Sequence, residues 1–233
     1  MSLRTTAKRL AHPFVRLHVY WRKTLAFVRD FNRDRKAARI RSAAETRSTA
    51  IHEAGHAAML IALGLAFIGA TIIPDVRAGT LGQVVWSQDQ VTTGLRAGEV
   101  AYLRYAMVYY AGAEAVRQLI PTHPDPDGGA SADKRYAAEL IRRYIGDDAV
   151  AIDLLLSVAK RRCALLVEHY QPEIHALAGV LEAEQILLAK AARKVFMKSL
   201  SQRGGRLLSF ESDIRDEAFL GFLRKLNLPG RAN

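Results

Sequence analysis

Residues 52–56 read His-Glu-Ala-Gly-His. On a helix, His52 and His56 project from nearly the same face one turn apart, so their ring nitrogens can reach a single metal ion. Zinc favours such nitrogens at roughly 2.0 to 2.1 Å, and in a catalytic site it takes three protein ligands and leaves a fourth position for water. Glu53 adjoins that position without being needed as a ligand. It can take the proton of a water as the water attacks and later pass it to a leaving amine. The chemistry predicted is metal-assisted hydrolysis, with His52 and His56 as ligands and Glu53 as base. The pattern fixes only three positions, so it also arises by chance on surface helices.

Such a motif acts only if the chain holds it on a helix. Ser42-Ala-Ala-Glu45 has the form of a capping box, in which serine and glutamate satisfy each other's backbone amides, so a helix is predicted to start there. It can run through the histidines and stop at Gly64, a residue suited to the left-handed position that ends helices. Gly55 costs about 1 kcal/mol relative to alanine inside a helix, which suggests that another segment approaches closely there. Beyond the helix, Ala70–Pro74 and Thr80–Trp86 are short and rich in branched or aromatic residues, and read as a small β element. Helical patterns resume over Leu95–Ile120, Ala132–Ile145, Asp148–Tyr170 and Pro172–Ser201, interrupted by a proline-rich loop at 121–129 and by Gly146-Asp-Asp. The expected fold is mainly α with a small β-hairpin or sheet.

Residue types alone leave the third ligand open. With Ser131 as N-cap, Asp133 falls in a first helical turn, where a carboxylate is favoured by the helix dipole whether or not it binds metal. Its rivals are Glu114 on the long middle helix, Asp125 and Asp127 in the proline-rich loop, and His123.

The string Thr49-Ala-Ile-His-Glu-Ala-Gly-His-Ala-Ala resembles the zinc-site helix of FtsH-type proteases, whose peptidase domain normally follows a membrane anchor and an AAA ATPase module. Ala70-Thr-Ile-Ile-Pro-Asp with Leu81-Gly82 is similar to that family's substrate-side strands. Tyr110-Ala-Gly-Ala-Glu-Ala-Val resembles its glycine-containing helix, and Gly129-Ala-Ser-Ala-Asp133 the segment bearing its third zinc ligand. The match is clearest over residues 42–185 of a domain taken as 42–233. The resemblance implies a zincin-like helical peptidase fold, Zn2+ as cofactor, Asp133 as third ligand, and a polypeptide substrate that adds as a strand along the Thr80–Trp86 edge. No Gly-x-x-x-x-Gly-Lys-Ser/Thr pattern occurs in the 233 residues. The implied activity is therefore that of a metalloendopeptidase acting on unfolded or small proteins, or one fed by a separate ATPase. Ring assembly in the family suggests a homo-oligomer.

Residues 1–41 form a distinct basic arm, in which Phe14, Leu17, Trp21, Leu25 and Val28 recur at helical spacing among arginines and lysines. An anionic membrane surface, nucleic acid or a protein partner would suit it. The alternative reading of the whole chain is an adaptor that keeps the zinc site but works through this arm; an intact Glu53 argues against it. With 34 Lys plus Arg against 23 Asp plus Glu, the net charge of +11 favours acidic partners generally. The single cysteine, Cys163, excludes an internal disulfide and reads as a buried thiol. No secretory signal or convincing membrane span is seen, so the expected location is cytoplasmic or peripheral to the membrane.

Overall fold

The computed structural model describes residues 41–75, 79–86, 101–127 and 129–208. Residues 1–40, which carry nearly all of the basic arm, lie outside the described residues. The described chain is mainly helical, with a small three-stranded antiparallel sheet. No helix among the described residues is long and apolar enough to cross a membrane.

The motif helix, α1 (Ala43–Ala62), starts as the sequence predicts. The Glu45 amide donates to Ser42 Oγ at 3.2 Å, and the Ser42 amide donates back to Glu45 Oε2 at 2.9 Å. Its C-terminal end is a Schellman turn: Gly64 adopts φ +68°, its amide donates to Ile61 O, and the Leu65 amide donates to Leu60 O. Between these caps the helix is buried almost all round, from Thr49 to Ile61, which makes it the central rod of the molecule.

The sheet has the order β2-β1-β3, formed by β1 (Gly69–Thr71), β2 (Gln83–Val85) and β3 (Ile186–Leu188). Ala70 pairs with Val84 on one side and with Leu187 on the other. Both expected strands are present in shortened form, with a separate bridge between Asp75 and Thr80. The third strand corrects the expectation of one helix over Pro172–Ser201. That stretch divides into α5 (Gln171–Glu184), β3 and α6 (Ala189–Gln202). The break is at Gln185, whose φ of +64° turns its carbonyl toward β1, where it accepts from the Ile72 amide at 3.0 Å and from Thr71 Oγ1 at 2.9 Å. Pairing with β1 outweighs the helical preference of the leucines.

The other helices are α2 (Ala101–Leu119), α3 (Ser131–Ile145) and α4 (Ala149–His169). Asp148 caps α4 by accepting from the amides of Val150 and Ala151, both at 3.0 Å. Cys163 is fully buried on α4, facing the core with Leu155, Ala159 and Val167. Helices α1 and α2 pack against each other closely: a Cβ at Gly55 would lie 2.5 Å from Ala111 O and 2.7 Å from Ala115 Cβ, so Gly55 marks the predicted close approach.

Candidate metal centre

His52 and His56 reach the same point from α1. Their Nε2 atoms are 3.0 Å apart, and each is 3.4 Å from Asp133 Oδ2. Ligands held at 2.0 to 2.1 Å around a tetrahedral ion are themselves separated by about 3.3 Å, so this triangle has the size a zinc ion requires. It is the only group of three such side chains with this geometry among the described residues. The ring of His56 is held by its far side: Nδ1 donates to the Val108 carbonyl at 2.7 Å. That bond fixes the tautomer that leaves the Nε2 lone pair for a metal.

The floor of the site is backbone. A Cβ at Gly112 on α2 would lie 2.5 Å from Nε2 of both His52 and His56, so no side chain fits at that position. Asp133 comes from the first turn of α3, a helix that packs against α2. The N-cap is Ala130 and contributes no side-chain hydrogen bond, whereas the sequence suggested Ser131. The helix begins one residue earlier than expected, and Asp133 remains in the turn where backbone amides favour a carboxylate. The preceding loop is tied down by Asp127, which accepts from Arg117 on α2 at 2.8 Å and pairs with Lys134 at 3.1 Å.

The rival ligands are elsewhere. Glu114 is paired with Arg117 and accepts from Gln118 Nε2 at 2.8 Å, on the side of α2 that meets α4. Asp127 is occupied as described, and His123 Nδ1 accepts from the Asp125 amide within the loop.

Glu53 is 5% exposed and lies beside the hairpin, where a Cβ at Gly82 would meet its Cγ at 2.8 Å and its Oε1 at 2.9 Å. Burial pushes its pKa up, and the neighbouring histidines offset only part of that rise. A carboxylate so placed takes up a proton more readily than a solvated one, as a general base near neutral pH must. Burial works against a charge on His56 as well, but the Asp133 carboxylate outweighs it and raises the His56 pKa to about 9 in the metal-free protein. Asp133 is held well below the usual carboxylate range: burial alone would raise it, and the two histidines reverse the sign.

Two features were not anticipated from the residues. Arg41 spans the entrance of α1 and the hairpin: its guanidinium donates to Leu81 O, to Ile72 O at 3.2 Å and to Thr49 Oγ1 at 3.4 Å. It thereby positions the backbone that presents Gly82 to Glu53. The second is a run of aromatic contacts from Trp86 through Tyr109 to Tyr136, next to Asp133. Arg41 resembled one more cation of the basic arm, and the aromatic residues are scattered over three elements, so neither had a local signature. No protein-family model matches the chain, and no curated protein matches its sequence.

Proposed function

We propose that the chain is a zinc metalloendopeptidase of the FtsH type, with a zincin-like peptidase fold and no ATPase motor in these 233 residues. The observation that carries the reading is the His52, His56 and Asp133 triangle at zinc-ligand spacing, with a buried glutamate adjoining the first histidine. Two imidazoles and one carboxylate form a donor set suited to zinc. Zinc held there would supply Lewis-acid polarisation of a carbonyl and would acidify a bound water.

The chain's own residues do the rest. Glu53 takes one proton from the attacking water at its carboxylate, as the oxygen bonds to the scissile carbonyl carbon. It then delivers that proton to the amine nitrogen as the C–N bond breaks, giving a carboxylic acid and an amine. Strand β2 is paired on one side only among the described residues, which leaves an edge for an extended peptide to join through main-chain hydrogen bonds. Binding of that kind suits unfolded or small protein substrates of varied sequence.

Elemental analysis of the purified protein should find about one zinc per chain. Wild type should cleave an unfolded substrate such as casein, while Glu53→Gln keeps its zinc and loses cleavage by roughly 100-fold or more, the contribution expected of a general base. A Glu53→Gln protein as active as wild type refutes the assigned base. Stoichiometric zinc with no cleavage of several unfolded substrates by wild type would replace the enzyme with a zinc-binding adaptor.

A further inference from the structure

Trp86, Tyr109 and Tyr136 belong to three different parts of the fold and meet beside the triad. Trp86 directly follows β2, and its ring meets that of Tyr109 edge to face, with centroids 5.3 Å apart. Tyr109 in turn lies 5.9 Å from Tyr136, the two rings tilted by 34°. Both tyrosines are one helical turn from the site. Tyr109 precedes Gly112 by three residues on α2, and Tyr136 follows Asp133 by three residues on α3, so each shares a face with its neighbour at the metal centre.

The wall is not sealed as a core would be. Trp86 and Tyr109 are half-buried, and Tyr136 remains 46% exposed although its ring is in contact. Arg135 lies 5.3 Å from the centre of the Tyr136 ring, a cation at the border of an otherwise apolar surface.

The edge strand links this wall to the base. Gly82, just before β2, touches Glu53; Trp86, just after it, touches Tyr109. A peptide lying along β2 therefore passes from the base to the aromatic wall over four residues, a span of about 13 Å. We propose that Trp86, Tyr109 and Tyr136 form a side-chain subsite that selects a large apolar or aromatic residue of the peptide, within a few residues of the bond that is cut. The inference rests on the endopeptidase reading for the identity of its ligand. Aromatic rings offer such a side chain a large contact area and favourable edge-to-face geometry, while Arg135 disfavours a basic one.

The test uses the full chain loaded with zinc and carrying Glu53→Gln, so that peptides bind without turnover. Dye-labelled decapeptides are compared by fluorescence anisotropy, identical except for Phe, Ala or Lys placed at each position in turn. At one position Phe should bind about tenfold or more tightly than Ala, the discrimination usual for an apolar pocket, and Lys no better than Ala. Adding Tyr136→Ala should abolish that preference, and Tyr136→Phe should retain it; Trp86→Ala provides an independent second variant. Equal affinity for all three peptides at every position overturns the subsite, as does a Phe preference that survives both alanine variants. Cleavage of casein by wild type is scored separately. A Phe preference without any cleavage leaves the subsite standing and removes the endopeptidase, and cleavage without any preference does the reverse.

Discussion

Replacing Gly112 with alanine tests the metal centre with a single methyl group. The added carbon would sit 2.5 Å from both ligand nitrogens, where ordinary contacts are about 3.5 Å. Each nitrogen, or the helix that carries the methyl, must therefore yield by about 1 Å, several times the roughly 0.2 Å tolerance of a metal–ligand distance. Helix α2 cannot retreat as compensation without opening the α1 interface, where Gly55 already abuts Ala111 and Ala115. Removing partners that merely support a ligand costs about 10- to 100-fold in metal affinity. Displacing two ligands at once should cost at least the upper end of that range. Overpacking should also lower stability by about 1 to 3 kcal/mol, or several degrees in Tm for a chain of this size. Competition with a chromophoric chelator reads the affinity, and a thermal melt followed by circular dichroism reads the fold. A folded Gly112→Ala protein whose zinc affinity stays within about threefold of wild type would refute the geometry, because the ligand tolerance leaves no room for such an outcome.

Gly179→Ala provides the contrast. This glycine lies on the exposed side of α5, and an added Cβ would meet nothing within 4 Å, so the change should raise stability by about 0.5 to 1 kcal/mol in denaturant unfolding and leave zinc binding alone. Gly82→Ala should lower kcat while preserving the zinc content, since its methyl would press on the Glu53 side chain and on Thr71 O at 2.8 Å, and not on the ligands; a wild-type kcat would contradict the contact. In the metal-free protein the folded pKa of His56, about 9, lies above its ordinary value of 6.5. Its contribution to stability is therefore complete below pH 6.5 and is lost as the pH rises through 9, which melts in chelator across that window will register. Metal needs the neutral imidazole, so zinc binding at pH 7.5 should release about one proton, measured by calorimetry in buffers of different ionisation enthalpy.

The sequence made parts of this site legible and hid others for physical reasons. Local signals were reliable: the Ser42–Glu45 capping box, the Gly64 stop and the i, i+4 histidines all involve residues within one or two turns of one another. Gly55 was legible as a close contact because a helix tolerates glycine poorly unless something needs the space. Asp133 was different. As an N-terminal acid it looked like any dipole-favoured carboxylate, and only the resemblance to FtsH-type proteases singled it out from Glu114, Asp125, Asp127 and His123. What separates it in space is the position of α3, fixed by the Arg117–Asp127–Lys134 contacts across a proline-rich loop. Strand β3 was illegible because Ile186-Leu-Leu fits a helical pattern as well as a strand, and its partner lies more than a hundred residues away. The aromatic wall escaped for a similar reason, since no sequence window contains Trp86, Tyr109 and Tyr136 in one period.

That distant partner has a consequence for how the protein comes into being. The central strand of the sheet is made early, but the carbonyl of Gln185 and the strand after it, which complete its far side, lie 114 residues beyond Thr71. While the chain is being synthesised, β1 keeps an open edge until residues 186–188 have left the ribosome, by which time the histidines, Glu53 and Asp133 have all emerged. Contacts this far apart are also the slow ones to form. The side of the sheet away from β2 is thus completed late: a chain truncated before residue 186 carries His52, Glu53, His56, Asp133 and β2 while β1 still lacks its second partner.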